Sequence, residues 1–502
     1  MDHHKELSRI RQEKDLTEYK QMIASQKLKP CTMPIQSDPR DLKLLVAVRK
    51  RPLLSKEKGE IDCISVSNPR VRVNECGLKV DLRKVVTNHD FKFDYSFSEE
   101  ESTDSLYSQV IKPLIPLLHD KGTITIFAYG PTGSGKTFTM EGIQGSAIED
   151  MFSLEQPGDN LKYYASYFEI YDGKVYDLLN KRQQLVLLED GKNKIQVKGL
   201  SKTETNSAER IMNVIQFGNS MRSTSPTIAN DTSSRSHAIC KVQIKKDENV
   251  IGTLLLIDLA GSEKAQLGQA NNRKRRLEGT EINKSLLALK ECIRAIDMKG
   301  PHIPFRASKL TMVLRDSFIG SSKKNKIVMI ACISPGKNAT SDTINTLLYA
   351  DRLKENKQNK SNAPGIVLEP VSLNKIGPKI VMTKDEKSKE ERDLKMLMNT
   401  LMMEDKDSFL LLNAAEELKK AEEELIEAHG DYIHQNEVIK MQQRALGEKL
   451  KDLEVNDIES CITEMEKIMA KQAELQKNLK EKIAAYKKKQ SEEEELSKQA
   501  NK

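Results

Sequence analysis

The chain has 502 residues, enough for a catalytic core of about 300 residues with long helical additions. Its 81 basic and 74 acidic residues leave a net charge of +7, too mild to name a partner, and 31% charged content is on the polar side of globular averages. Seven scattered cysteines without a CxxC spacing favour reduced thiols in a cytosolic or nuclear protein over a disulfide framework. The charged start MDHHKELSRIRQEK and the lack of a long apolar run predict neither a secretory leader nor a membrane span.

Residues 1–29 read as a charged helix, ended by Lys29-Pro30 and the prolines at 34 and 39, so residues 1–40 form a helical neck and linker. Leu44 to Val48 is a buried strand that runs into Arg49-Lys50-Arg51-Pro52. Strand-like runs (Tyr163–Tyr171, Ile239–Ile244, Gly252–Asp258, Lys326–Ile333) then alternate with helical ones (Ser207–Arg222, Glu281–Met298). That alternation predicts an α/β domain over residues 41–355, a central mixed sheet flanked by helices on both faces. The polar KENKQNKSNAPG opens a linker over residues 356–390. Residues 391–502 lack strand signals, and Leu411, Ala414, Leu418, Ala421, Leu425 and Ala428 form a seam. A coiled coil that dimerises the chain and a solvated helix are both compatible with it.

The stretch TITIFAYGPTGSGKTFTM, residues 123–140, organises the domain. A buried strand leads into Gly130, Pro131, Thr132, Gly133, Ser134, Gly135, Lys136 and Thr137, which fit the Walker A spacing GxxxxGK[ST]. The glycines let successive N–H groups approach one anion, and a helix starting near Gly135 adds its positive end. Lys136 then reaches the β- and γ-phosphates of ATP, and Thr137 offers its hydroxyl to Mg²⁺. A second buried strand ends in Asp258, placed to hold the Mg²⁺ side through a water. It is followed by Leu259-Ala260-Gly261-Ser262-Glu263, whose Gly261 N–H can approach the γ-phosphate. The polar run Asn230-Asp231-Thr232-Ser233-Ser234-Arg235-Ser236-His237 suits a phosphate-sensing loop.

These four segments, the arginine-proline entry, AYGPTGSGKTFTM, NDTSSRSH and DLAGSE, resemble in order the nucleotide motifs of the kinesin motor domain, across roughly Leu42 to Leu353. The resemblance implies a P-loop ATPase stimulated by microtubules or tubulin. Arg49 and Pro52 would flank the adenine, with Arg51, Asn230 and Ser233 also on the nucleotide. Ser234 would give the loop hydroxyl on Mg²⁺, and Arg235 and Glu263 would pair when ATP is bound. Lys136, Ser234, Arg235, Gly261 and Glu263 would then carry the chemistry.

Further motifs resemble the thirteenth, internal-motor class, which depolymerises microtubules. Lys79-Val80-Asp81 matches that class's finger on curved tubulin, and Lys290-Glu291-Cys292 matches a second signature. Tubulin is acidic, so basic groups are candidates for its docking face: Arg273, Lys274, Arg275 and Arg276, then Lys284, Lys290 and Arg294, then Arg306 and Lys309. Residues 1–29 hold seven basic side chains against five acidic ones, so electrostatic tethering by this neck is expected to be weak. The implied setting is the microtubule cytoskeleton, spindle or flagellar. A plus-end walking motor and a non-catalytic microtubule adaptor are the alternatives. No base-reading module appears, and no specific nucleic-acid partner is expected.

Overall fold

A computed structural model of the chain describes residues 17–29, 38–57, 59–79, 83–156, 160–190, 195–223, 232–247, 249–263, 273–297, 302–319, 324–355, 392–394, 396–398, 406–449 and 458–499. The chain divides into two units. One comprises Met1–Ala265 with Glu281–Leu397, and the other Gln266–Thr280 with Met398–Lys502.

The strands of the first unit are β1 (Leu44–Lys50), β2 (Ile64–Ser67), β3 (Arg70–Leu78), β4 (Lys84–Lys92), β5 (Tyr95–Phe97), β6 (Thr123–Tyr129) and β7 (Lys162–Tyr171). They continue as β8 (Lys174–Asp177), β9 (Gln183–Glu189), β10 (Ile195–Lys198), β11 (Thr203–Thr205), β12 (His237–Lys246), β13 (Asn249–Asp258) and β14 (Lys326–Ile333). Among the described residues the main sheet runs β10-β9-β8-β7-β12-β13-β6-β14-β1-β5, with β11 paired to β7. From β13 to β5 the pairs are parallel, while β7, β12 and β13 pair antiparallel, so the sheet is mixed as expected.

Alternation along the central strands explains why both faces are covered. Leu45, Ala47, Ile126, Ala128, Leu254 and Leu256 point to one side, and Val46, Val48, Phe127, Tyr129, Leu255 and Ile257 to the other. The first side packs on α1 (Lys136–Ser153) and α2 (Ala208–Ser223) through Met140, Ile143, Ala147, Ile211 and Ile215. The second packs on α3 (Arg273–Asp297), α4 (Lys309–Ile319) and α5 (Thr340–Glu355) through Leu286, Leu289, Ile293, Leu310, Leu314, Leu347 and Ala350. Helix α3 starts at Arg273 rather than near Glu281, so the basic run is helical rather than a loop. The side chains of Arg273, Lys274, Arg275 and Arg276 lie outside the described residues.

A second sheet, β2-β3-β4, carries the β3–β4 hairpin, whose ladder closes at Leu78 and Lys84. The neck helix, described from residue 17 to 24, packs on the turn end of this hairpin. Tyr19 and Ile23 pack with Ile61 and Cys63, the Tyr19 hydroxyl donates to the Gly77 carbonyl at 2.8 Å, and Lys84 pairs with Glu18.

In the second unit, α6 (Lys406–Lys449) and α7 (Ile458–Gln499) pair with each other. Lys482 meets Glu424 and Lys489 meets Glu417, a register that only an antiparallel hairpin produces. Ala414 and Leu418 of the expected seam are buried, so at these positions the seam is covered within a single chain. No helix among the described residues is long and apolar enough to cross a membrane.

Candidate functional site

Strand β6 delivers the phosphate loop to the edge of a cleft of about 530 Å³. The loop's shape depends on two glycines. Gly130 has φ of 150°, and a Cβ there would stand 2.2 Å from the Cys332 carbonyl oxygen. Gly135 has φ of 95° and starts α1, leaving the helix's first N–H groups aimed at the cleft. Lys136 is buried under the loop, its Nζ donating to the Gly130 and Pro131 carbonyls at 2.9 and 3.0 Å. Burial pulls its pKa below the ordinary lysine value.

Thr137 and Asp258, far apart in sequence, meet here, with the Thr137 hydroxyl donating to Asp258 Oδ2 at 2.8 Å. Asp258 Oδ1 and the Ser134 hydroxyl are buried without a hydrogen-bond partner among the described residues. An oxygen-rich corner with two such atoms, beside a helix N-terminus, fits Mg²⁺ and a polyphosphate. Thr137, Ser234 and Asp258 are the residues that would hold the metal.

At the other end of the cleft, Arg49 donates to the Thr139 hydroxyl and lies 5.4 Å from the centre of the Phe138 ring. Phe138 is 68% exposed and lines the cleft with Arg49, Arg51 and Pro52. An exposed aromatic beside a proline is a stacking platform for a flat base. Arg51 donates to the Gly133 carbonyl at 2.7 Å and makes a two-pronged pair with Glu57, which holds that carboxyl down at about 2. It therefore braces the loop.

The sensing loops close the cleft. Ser233 and Ser234 line it, and the Gly261 N–H donates to the Ser234 carbonyl at 2.8 Å. Asn230 lies outside the described residues. The resemblance pairs Arg235 with Glu263 when ATP is bound, and here Glu263 has other partners. Glu263 accepts from the backbone N–H and hydroxyl of Thr132 in the phosphate loop, while Arg235 lines a small cavity with Asp172, Glu281 and Lys309.

Two residues escape motif reading. Phe138 follows the Walker threonine, and an aromatic placed there beside the arginine-proline entry is a signal that could have found it. Arg222 of α2 is fully buried. It donates to Asp258 Oδ2 at 2.7 Å, to the Ser233 and Ser236 carbonyls, and to the Ser236 hydroxyl. It ties both sensing segments to one guanidinium, whose planar fork suits several acceptors at once. A single arginine in a helix carries no spacing that would announce this.

The candidate partner surface is less open than expected. Cys292 is 0% exposed and packs in the core with Leu289 and Ile293, because its place three residues beyond Leu289 puts it on the inward stripe. Burial drives its thiol well above the ordinary value, so it is a packing residue and not a surface contact. Lys290 and Glu291 are also buried, and Arg294 and Lys284 stay partly exposed. Asp393, Leu394 and Leu397 cover part of this face. Leu394 and Leu397 pack with Leu287, Ala288 and Ala307. Asp393, 1% exposed, accepts from His302 and from the Arg306 N–H, while the Arg306 side chain pairs with Glu189. The Lys79 backbone N–H donates to the Arg83 carbonyl at 2.9 Å, and Leu78 beside it is 61% exposed. Val80 and Asp81 lie outside the described residues.

Comparison with protein families matches the kinesin motor domain over residues 49–356. The chain belongs to the kinesin motor domain family. It is 46% identical over 325 residues to the kinesin-like protein KIN-13B of Arabidopsis thaliana, covering 62% of this chain and 47% of that one. It is 47% identical over 338 residues to the kinesin-like protein KIN-13A of Oryza sativa subsp. japonica, covering 62% of this chain and 41% of that one. This kinesin chain spans about half the length of the curated relatives it matches.

Proposed function

We propose that this chain is an ATP-dependent microtubule depolymerase of the internal-motor class, which binds microtubule ends, favours curved tubulin and removes subunits. The observation that carries the ATPase part is the meeting of Thr137, Asp258 and Arg222 beneath a glycine-shaped phosphate loop. Likeness to two KIN-13 proteins and the Lys79-Val80-Asp81 finger support the class.

Mg²⁺, when bound by Thr137, Ser234 and Asp258, supplies neutralisation of charge on the phosphates. The chain's own residues do the rest. Lys136 leaves the Gly130 and Pro131 carbonyls for the phosphates, Gly261 offers its N–H, and Glu263 exchanges Thr132 for Arg235 to close the two loops around an attacking water. This is orientation and electrostatic work without a covalent intermediate. Tubulin binding converts to disassembly only through the difference in affinity for curved and straight forms.

For tubulin to meet α3 and Arg306, Asp393, Leu394 and Leu397 must leave that face. Asp393→Asn weakens their hold and is expected to lower the tubulin concentration for half-maximal ATP turnover by about threefold or more. Titration of turnover against free tubulin tests both statements. A wild type without tubulin stimulation contradicts the proposed activity, and an unchanged or raised midpoint in the variant contradicts the covering role.

A further inference from the structure

A buried hydrogen-bond relay connects the sensing turn after β13 to helix α3. His237, the first residue of β12, is 3% exposed. Its Nδ1 accepts from the Ala260 N–H at 3.1 Å, and its Nε2 lies 2.8 Å from the Ser285 hydroxyl. That hydroxyl donates to the Ile282 carbonyl at 2.7 Å. One proton arrangement satisfies all three contacts. A neutral ring that accepts at Nδ1 carries its proton on Nε2, so Nε2 donates and Ser285 accepts while giving its own proton to Ile282. Burial, with Arg222 and Lys136 nearby, pulls the imidazole down to about 3, which keeps this neutral form at any working pH.

The two ends of the relay give it a role. Ala260 directly precedes Gly261, whose N–H already reaches across to Ser234. Ser285 lies on α3 beside Leu286, which fixes the helix to the sheet, and one turn from Leu289. His237 is 3% exposed and Ser285 5% exposed, so both partners of the bond between them are buried. A shift of the turn must therefore either carry the ring and the helix with it or break one of these buried bonds.

We infer that His237 is a positioning residue that transmits the state of the 258–263 turn to α3, so that the helix's outer side responds to the nucleotide. This rests on the reading of the cleft as an ATP site and of α3 as the helix nearest tubulin. His237 touches no reacting atom in this account. It acts through Ala260 and Ser285 alone.

The test is amide hydrogen exchange over residues 282–296 of the full chain, saturated with Mg²⁺–ADP or with Mg²⁺ and a non-hydrolysable ATP analogue. In the wild type, protection is expected to differ by about fivefold or more between the two nucleotides. Ser285→Ala is expected to erase that difference while leaving affinity for a fluorescent ADP within about twofold. Ser285→Thr, which keeps the hydroxyl, restores the difference. His237→Asn keeps an acceptor for Ala260 but cannot reach Ser285, and behaves like Ser285→Ala. A Ser285→Ala protein that retains the wild-type difference overturns the relay, as does a wild type with equal protection in both nucleotides. A wild type that shows the difference but is not stimulated by tubulin overturns the depolymerase reading and leaves the relay standing.

Discussion

Replacing Lys136 by alanine lowers ATP turnover by about 10³-fold or more, with the protein still folding cooperatively. The ammonium is the only side-chain cation directly in the phosphate loop, and loss of one such preorganised charge costs on the order of 10²–10³-fold even where other donors remain. Stability runs the other way. A lysine whose folded pKa lies below its unfolded value of 10.5 reduces stability while it is charged, and that penalty fades only as pH rises toward 10.5. Removing it deletes the penalty, partly offset by the Gly130 and Pro131 carbonyls losing their donor. The melting temperature is therefore expected to stay within about 4 °C of wild type or to rise. Turnover at the wild-type rate in a folded Lys136→Ala protein would remove the phosphate-loop assignment, and calorimetry beside the rate measurement separates that outcome from unfolding.

The second large effect is expected at the finger. Changing Lys79, Val80 and Asp81 together to alanine should leave tubulin-free ATP turnover and binding to the microtubule wall near wild type, while end disassembly falls by about tenfold or more. The hairpin itself should survive. Its ladder ends at Leu78 and Lys84, and that end is held by Tyr19 and the Lys84–Glu18 pair, none of which the change touches. Microtubule length against time and cosedimentation with stabilised microtubules read the two functions separately. Disassembly that survives the triple change makes the finger a surface turn.

The parts of this molecule that are legible in its sequence are those written in local spacing. The Walker A run fixes a strand, a glycine-shaped turn and a helix start within a few residues. The strand ending in Asp258 is announced by its apolar run, and β14 is found with the bounds that its composition suggests. What is not legible depends on contacts between distant residues. Arg222 becomes informative only when β13 brings Asp258 beside α2. Cys292 sits in a charged triplet that looks like a surface motif, but the helical period turns its side chain into the core. Asp393 reaches His302 and Arg306 across a long stretch of chain, and no local pattern encodes that return. The seam at Ala414 and Leu418 is correctly read as apolar, but sequence cannot say whether its partner is another chain or the α7 of its own.

The most direct test of the account is imaging of stabilised microtubules with the purified chain and ATP. Shortening from both ends, without directed runs along the wall, is the predicted result. Directed movement at constant length would contradict it and make the chain a walking motor, and steady binding with neither shortening nor movement would make it an adaptor.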